Sequence, residues 1–243
     1  MKNRLGESPR RKEDLRLLTG RGQFADDNNA TGQGHAVMVP SVHAHAIICG
    51  IDKTAALSAP GVIEVLTGAD WLADGLGAIP HNLGFSSPPD IALHNRDGSA
   101  KFVAPHYPLP ADRARLVGEP VAMVVAETAR QARDAAELVE IDYEVLAPII
   151  DTDHAADANA PVIWPDNGSN VSIDADVNDL SETAELLKDA EHVVRLKTQL
   201  SRVSGVAMEP RSSLGEYGED GRYTLQTTAG SIYRYKRELA ELL

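Results

Sequence analysis

The stretch VAMVVAETARQARDAAELVEIDYEVL, residues 121–146, decides the fold of this chain. It opens with a continuous apolar run, residues 121–126, that predicts a buried strand. Thr128 and Gln131 then form a T-x-x-Q capping box, which predicts the start of a helix. That helix would carry an apolar stripe of Ala132, Ala135, Ala136 and Val139. Residues 139–146 alternate apolar and acidic side chains, as a strand with one face in water does. A half-exposed strand favours a mixed or antiparallel sheet, and so an α+β fold, over a doubly wound parallel one.

Shorter elements are expected on both sides of this unit. Before it, the patterns predict strands at residues 34–40, 43–52 and 62–68, and short helices at residues 53–59 (capped by Asp52) and 69–73. After it, they predict a helix opened by the pair Asp179 and Glu182, with Leu180, Ala184 and Leu187 on one face, and a strand at residues 192–200. A hairpin of residues 213–217 and 222–228, turned by Glu219, Asp220 and Gly221, is expected next.

Two long segments lack such patterns. Residues 74–112 are rich in Gly, Pro, Asn and Ser, and a loop of that length tends to be functional or to dock on a partner. Residues 147–178 carry five Asp residues between positions 151 and 174, together with prolines and a glycine, which is typical of a linker.

Composition and charge exclude several kinds of protein. A net charge of −13 argues against a nucleic-acid-binding surface, which needs clustered Lys and Arg. The chain has no apolar run of about 18 residues and no apolar leader at its N-terminus, so we expect a cytoplasmic protein without a membrane span. The single cysteine, Cys49, excludes an internal disulfide and an iron–sulfur cluster, and its place in an apolar strand predicts a buried, inert thiol.

His43 and His45 raise the question of a metal site. Side chains two positions apart share one face of a strand, and two imidazoles there could bind zinc. No H-E-x-x-H or comparable spacing accompanies them, and Val42, Ala44 and Ala46 would occupy the other face of an ordinary half-buried strand. The residues alone leave open both a metal-dependent hydrolase and a structural role.

The end of the sequence predicts an amphipathic helix from about residue 231 to 243. Its stripe consists of Ile232, Tyr235, Leu239 and Leu242. The segment after the linker, which consists of one hairpin and two helices, is too small to form a hydrophobic core of its own. We therefore expect a chain that is incomplete as a folding unit and whose exposed stripe favours self-association, including a homodimer.

Several motifs occur in an order typical of one enzyme family. RKEDLRLLTGRGQF at residues 11–24 is followed by SVHAHAIICGID at 41–52, PGVIEVLTGAD at 60–70, LVGEPVAMVVAET at 116–128 and MEPRSSLGEY at 208–217. Together they resemble the N-terminal part of the large, molybdenum-carrying chain of the xanthine dehydrogenase, aldehyde oxidase and aerobic carbon monoxide dehydrogenase family. The resemblance covers nearly the whole chain and implies a structural role for His45, without a metal.

The resemblance also implies a domain order. Residues 1–17 would be an N-terminal extension, residues 18–147 an α/β hammerhead domain, residues 148–164 a linker, and residues 165–243 the incomplete start of a molybdenum-cofactor-binding domain.

Family membership would make this chain a fragment or split subunit of a molybdenum hydroxylase, inactive alone. Such enzymes oxidise or hydroxylate small molecules with water-derived oxygen at a molybdenum pterin cofactor, and pass electrons to iron–sulfur clusters and FAD, often on partner chains. The expected partners are the remainder of the large chain and the iron–sulfur and FAD subunits. The catalytic residues are expected downstream of residue 243, and this chain alone is expected to bind no cofactor. The alternative is a non-catalytic hammerhead module for binding or assembly.

The resemblance finally implies a cofactor-facing stretch. Many family members carry S-T-Q after the MEPR hairpin, and that glutamine hydrogen-bonds an oxygen ligand of molybdenum. The matching residues here are Thr228, Ala229 and Gly230, so alanine replaces the glutamine. Alanine has no side-chain donor, which leaves the backbone N–H of Gly230 or a water for that contact. For Glu209 and Arg211 we expect a structural ion pair or a strand-end contact, with a role at the cofactor as the alternative.

Overall fold

The computed structural model describes residues 6, 10–80, 94–176, 180–201, 203 and 205–243. The strands are β1 (His35–Pro40), β2 (Ala46–Asp52), β3 (Val62–Thr67), β4 (Arg113–Ala114), β5 (Pro120–Ala126), β6 (Glu140–Val145), β7 (Ser213–Tyr217) and β8 (Tyr223–Thr227). The helices are α1 (Asp14–Leu18), α2 (Thr54–Leu57), α3 (Gly68–Ala73), α4 (Ala129–Ala136), α5 (Leu180–Lys188) and α6 (Ile232–Leu242), with 3-10 turns at Ala25–Asp27 and Pro165–Asn167. In the part of the chain described, no helix has the length and apolar character needed to cross a membrane.

The chain divides into two compact units. The larger unit comprises Gly34–Thr198 with Tyr233–Leu243, and the smaller unit comprises Met1–Gln33 with Gln199–Ile232.

The first sheet of the larger unit is antiparallel and has the strand order β1-β5-β3. Its central strand, β5, is the apolar run predicted at residues 121–126. Because strand side chains alternate, one set of residues from the three strands faces α2 and α4. This side forms the main core of the unit: Val39, Ala56, Val65, Ala122, Val124 and Ala135.

Helix α4 begins where the capping residues predict but is shorter than its apolar stripe. The Thr128 hydroxyl accepts the amide N–H of Gln131 at 3.2 Å, as an N-cap does. The Gln131 side chain accepts the Thr128 hydroxyl at 2.7 Å, so only half of the predicted capping box forms. Ala132 is buried, whereas Val139 follows the helix and packs against the same core from the approach to β6.

The strand that follows α4 enters a different sheet. This second sheet is antiparallel, has the order β4-β2-β6, and contributes Ile48 and Ala114 to a smaller core cluster that also contains Val121 of β5. All strand pairs among the described residues are antiparallel, which confirms the α+β class. The alternation in β6 holds for Ile141 and Tyr143, which are half-buried, but not for Val145, which is exposed.

A bulge in β2 overturns the prediction for Cys49. The pairing of β2 with β6 skips a residue between Ile48 and Gly50, and Cys49 is exposed. A bulge leaves an extra residue outside the ladder and interrupts the alternation of side chains. The prediction of a buried thiol was wrong because that alternation does not continue through the strand.

Helix α2 is also shorter than predicted. Its N-cap position is Lys53 rather than Asp52, although the Asp52 carboxylate accepts the Thr54 amide N–H at 2.9 Å. A hydrogen bond from the Thr54 side chain, and after it this amide hydrogen bond, lowers the pKa of Asp52.

Helix α3 is anchored by a capping box and an ion pair. The Asp70 carboxylate accepts the amide N–H of Thr67 at 2.8 Å and the Thr67 hydroxyl at 2.7 Å. The Lys53 ammonium donates to the same carboxylate at 2.9 Å and to the Val65 carbonyl at 3.0 Å. The Lys53 hydrogen bond, aided by those from Thr67, lowers the pKa of Asp70. The anchor therefore ties α3 to the start of α2 and to β3.

The two long segments without predicted elements pack against each other. The Trp164 ring lies 6.0 Å from the Phe102 ring and 3.9 Å from the guanidinium carbon of Arg115, measured to ring centroids. The Phe102 amide N–H donates to the Ser172 carbonyl at 2.9 Å, and the Ser172 hydroxyl donates to the Phe102 carbonyl at 3.1 Å. Ion pairs of Arg96 with Asp174 and Asp176 extend the contact. The described part of the long loop therefore docks on the chain's own residues 161–176.

The strand predicted at residues 192–200 does not form. A strand needs a neighbour for its backbone hydrogen bonds, and no described strand pairs with this segment. Its apolar side chains lie in water, with Val194 93% and Leu196 85% exposed.

Helices α5 and α6 form as predicted, yet neither contains a buried residue. The predicted capping residue Asp179 lies outside the described residues.

Candidate functional site

His45 is a structural residue held by two hydrogen bonds. It is 3% exposed and precedes β2, so the expectation that both histidines lie within the strand was wrong. Its Nδ1 lies 2.8 Å from the Ala147 carbonyl oxygen and therefore donates, and its Nε2 lies 3.1 Å from Nη1 of Arg113 and therefore accepts. Both ring nitrogens are thus occupied, which leaves neither for a metal.

His43 points to a different neighbour. Its ring meets the Tyr143 ring edge-on at a centroid distance of 5.1 Å. Among the residues that the structure describes, no group of three or more His, Cys, Asp or Glu side chains is placed to hold a metal ion. The H-x-H spacing is therefore explained by packing between the start of β2 and its neighbours.

The carboxylates beside the bulge in β2 have ordinary surroundings. Asp52, Glu140 and Asp142 line an open groove of about 620 Å³ beside the bulge in β2. All three side chains are exposed, as carboxylates on a protein surface usually are.

The cofactor-facing stretch predicted from the family resemblance lies directly after β8 in the smaller unit. Strands β7 and β8 form the predicted hairpin, and Gly221 takes the positive φ of 75° that its turn requires. Thr228 and Gly230 are exposed and Ala229 is partly buried. A side chain added at Gly230 would meet nothing within 4 Å, so the backbone there faces open space.

Glu209 is the charged residue that contacts this stretch. Its Oε1 accepts the Thr228 hydroxyl at 3.3 Å and the Ala25 amide N–H at 3.5 Å. The expected strand-end contact of Glu209 is therefore present, because Thr228 directly follows β8. The other expectation, an ion pair between Glu209 and Arg211, is not found among the described residues. Sequence reasoning missed Thr228 as the partner of Glu209 because the two are separated by the whole hairpin.

The described residues do not by themselves fit a molybdenum pterin cofactor. The hydroxyl of Thr228 is directed to Glu209, Ala229 offers no side-chain donor, and Gly230 borders open space. Buried side-chain atoms without a hydrogen-bond partner, which would mark a missing ligand, occur at Arg115 and Tyr143 but not at this stretch. Thr228, Ala229 and Gly230 therefore do not form a closed cofactor site by themselves.

Comparisons with known proteins place these features in a wider context. The sequence profile described as aldehyde oxidase and xanthine dehydrogenase, a/b hammerhead domain, matches residues 19–147. The chain is 36% identical over 216 residues to the nicotine 6-hydroxylase large subunit of Paenarthrobacter nicotinovorans, which covers 89% of this chain and 24% of that protein. It is also 36% identical over 208 residues to the 6-hydroxypseudooxynicotine dehydrogenase complex subunit gamma of the same organism, covering 86% of this chain and 25% of the relative.

A solved structure shares the fold. The crystal structure of quinoline 2-oxidoreductase from Pseudomonas putida 86 matches with a TM-score of 0.82 and 28% identity, covering 100% of this chain and 29% of that one. The chain spans about a quarter of the length of the curated relatives it matches, and both of those relatives are named as subunits. These findings confirm the resemblance and the hammerhead fold expected from the ordered motifs.

Proposed function

Because the chain belongs to the aldehyde oxidase and xanthine dehydrogenase family of molybdenum hydroxylase oxidoreductases, we propose that it forms the N-terminal part of a large chain of such an enzyme. The observation that carries the proposal is the hammerhead match over residues 19–147 together with identity that continues into the smaller unit. In this proposal residues 18–147 are the hammerhead domain, residues 1–17 an extension, residues 148–164 a linker and residues 165–243 the start of the cofactor domain.

The role proposed for this chain is structural support of a cofactor pocket. In the assembled enzyme the molybdenum pterin cofactor would supply the redox chemistry, and partner chains with iron–sulfur clusters and FAD would remove the electrons. Thr228, Ala229 and Gly230 would form one edge of that pocket. Glu209 would fix the edge, because its carboxylate joins Thr228 to the N-terminal segment at Ala25.

The proposed substrate is a small nitrogen-containing aromatic compound that becomes hydroxylated. Two findings support this class. Two of the similar proteins are named for nicotine and quinoline, which are both nitrogen heterocycles. Alanine at position 229 also leaves free the space that a glutamine side chain would fill, which suits a ring system better than a very small gas molecule.

Substrate oxidation by the complete enzyme tests this proposal. The assembled large chain with its partner subunits should reduce an electron-accepting dye in the presence of quinoline or nicotine, and the hydroxylated product should carry oxygen from labelled water. Oxidation of aldehydes alone would contradict the substrate class. A stable assembly that holds neither molybdenum nor pterin would favour the alternative, a hammerhead module without catalysis.

A further inference from the structure

The hairpin of the smaller unit is a sheet that lacks a strand. β7 and β8 pair with each other, and no third strand of the described chain pairs with either. A two-stranded hairpin is at best marginally stable in water, and an unpaired strand edge is a template for another chain. Its apolar side chains lie in water, since Tyr217 and Tyr223 are each 65% exposed and Leu225 is 41% exposed.

The hydrogen-bond pattern identifies the main-chain groups that point outward. The Gly218 amide N–H donates to the Arg222 carbonyl at 2.9 Å, and hydrogen-bonded pairs alternate along the hairpin from that pair. Thr224 and Gln226 therefore direct their main-chain groups toward β7. Tyr223, Leu225 and Thr227 direct theirs to the free edge of β8.

The two edges of the hairpin are not equivalent. The 3-10 turn at Ala25–Asp27 contacts β7, and the preceding Glu209 is tied to the Ala25 amide N–H. Apart from β7, no described element of the smaller unit contacts β8 to that extent. The edge of β8 is thus the one available to a further strand.

We propose that an extended strand from the remainder of the large chain pairs with the free edge of β8. The inference rests on the proposed function, because it takes the missing strand from the three quarters of the relatives' length that this chain does not span. The strand should be apolar at alternate positions, so that it covers Tyr223 and Leu225 on the exposed face. A second copy of this chain fits less well, since two bodies that each carry a net charge of −13 repel one another.

Hydrogen exchange on the unmodified protein tests the pairing. Residues 1–243 are compared alone and within the complete large chain, with amide exchange followed by mass spectrometry at Tyr223, Leu225 and Thr227. Exchange at these amides should be at least tenfold slower in the complete chain. Unchanged exchange there would overturn the inference, as would protection of the same amides in a dimer of residues 1–243.

Two proline variants at paired positions of the hairpin test which of its two edges binds the additional strand. Leu225→Pro removes an outward N–H from β8, while Gly215→Pro removes one from β7, and the two residues face each other in the register. With the remainder of the large chain supplied as a separate polypeptide, Leu225→Pro should weaken binding roughly tenfold and Gly215→Pro should not. Equal effects of the two prolines would overturn the choice of edge.

Molybdenum and pterin content separates this inference from the proposed function. An assembly that carries both but leaves the β8 amides in fast exchange refutes the strand pairing and supports the function. Protected amides in an assembly without molybdenum and pterin support the pairing and refute the function.

Discussion

Replacing Asp70 by asparagine should weaken the larger unit at neutral pH and have little effect in acid. Asparagine has nearly the shape of aspartate but no charge. If its amide oxygen takes the place of Oδ2 and keeps the two hydrogen bonds from Thr67, its NH₂ group takes the place of Oδ1, which lies 3.1 Å from the Lys53 ammonium. The variant therefore loses the ion pair and the negative charge in the first turn of α3.

The expected cost is about 1–2 kcal/mol. Lys53 and Asp70 are each about one-third exposed, so solvent screening limits the ion pair to about 0.5–1 kcal/mol. A carboxylate in the first turn of a helix adds about 0.3–1 kcal/mol. Asp74→Asn, an isosteric change of an exposed carboxylate at the other end of α3, is the control and should stay within about 0.5 kcal/mol of the parent protein.

The destabilisation by Asp70→Asn should depend on pH. The pKa of Asp70 is lowered in the folded state, mainly by the Lys53 hydrogen bond, so its contribution is complete above the unfolded-state pKa of about 4. It is lost as the pH falls through the lowered folded-state pKa. Urea unfolding followed by fluorescence of Trp71 and Trp164, which both lie in the larger unit, should show a gap at pH 7 that closes toward pH 3. Equal stability at pH 7, or a gap of undiminished size in acid, would refute this reasoning.

Three further substitutions test separate parts of the fold. Gly68→Ala should lower the free energy of unfolding by about 1–3 kcal/mol, because the new Cβ would lie 2.6 Å from backbone atoms of residues 109–111. Gly77→Ala is the control: its new Cβ meets nothing within 4 Å, so its stability in urea unfolding should be nearly unchanged. His45→Ala should cost about 1–3 kcal/mol in the same assay, since it removes a side chain that is 3% exposed together with its two hydrogen bonds, one to the Ala147 carbonyl and one from Arg113. Trp164→Ala should speed proteolysis within residues 94–112 and 161–176 severalfold, and Trp164→Phe should do so less because it keeps an aromatic ring. A Gly68→Ala protein as stable as Gly77→Ala would contradict the close approach of residues 109–111. A His45→Ala protein within about 0.5 kcal/mol of the parent would contradict the importance of the two His45 hydrogen bonds. Unchanged proteolysis of the Trp164 variants would contradict the contact between the two segments.

Local patterns predicted the elements whose partners are near in sequence or whose apolar character is continuous. β5 and α4 arise from such a run and such a stripe, and the β7–β8 hairpin follows from the turn at Glu219–Gly221. The strand predicted at residues 192–200 failed for a physical reason. Its alternating pattern describes a half-buried surface, but a strand also needs a neighbour, which the described chain does not supply.

The sequence patterns did not predict contacts between residues that are far apart in the chain. The bulge that exposes Cys49 depends on how β2 pairs with β6, and the contact of Trp164 with Phe102 joins two segments without periodicity. The candidate site divides in the same way. The stretch at Thr228, Ala229 and Gly230 stays a prediction from the ordered motifs, whereas the hydrogen bond from Thr228 to Glu209 could be found only from the folded hairpin.

The most direct test of the central claim is molybdenum and pterin analysis of the purified protein. Residues 1–243 alone should contain neither, because in the proposal Thr228, Ala229 and Gly230 form only one edge of the cofactor site. The complete large chain, purified with its partner subunits, should contain about one molybdenum and one pterin per large chain. Absence of both from that assembly, or stoichiometric zinc in residues 1–243, would contradict the assignment of this chain to a molybdenum hydroxylase large chain.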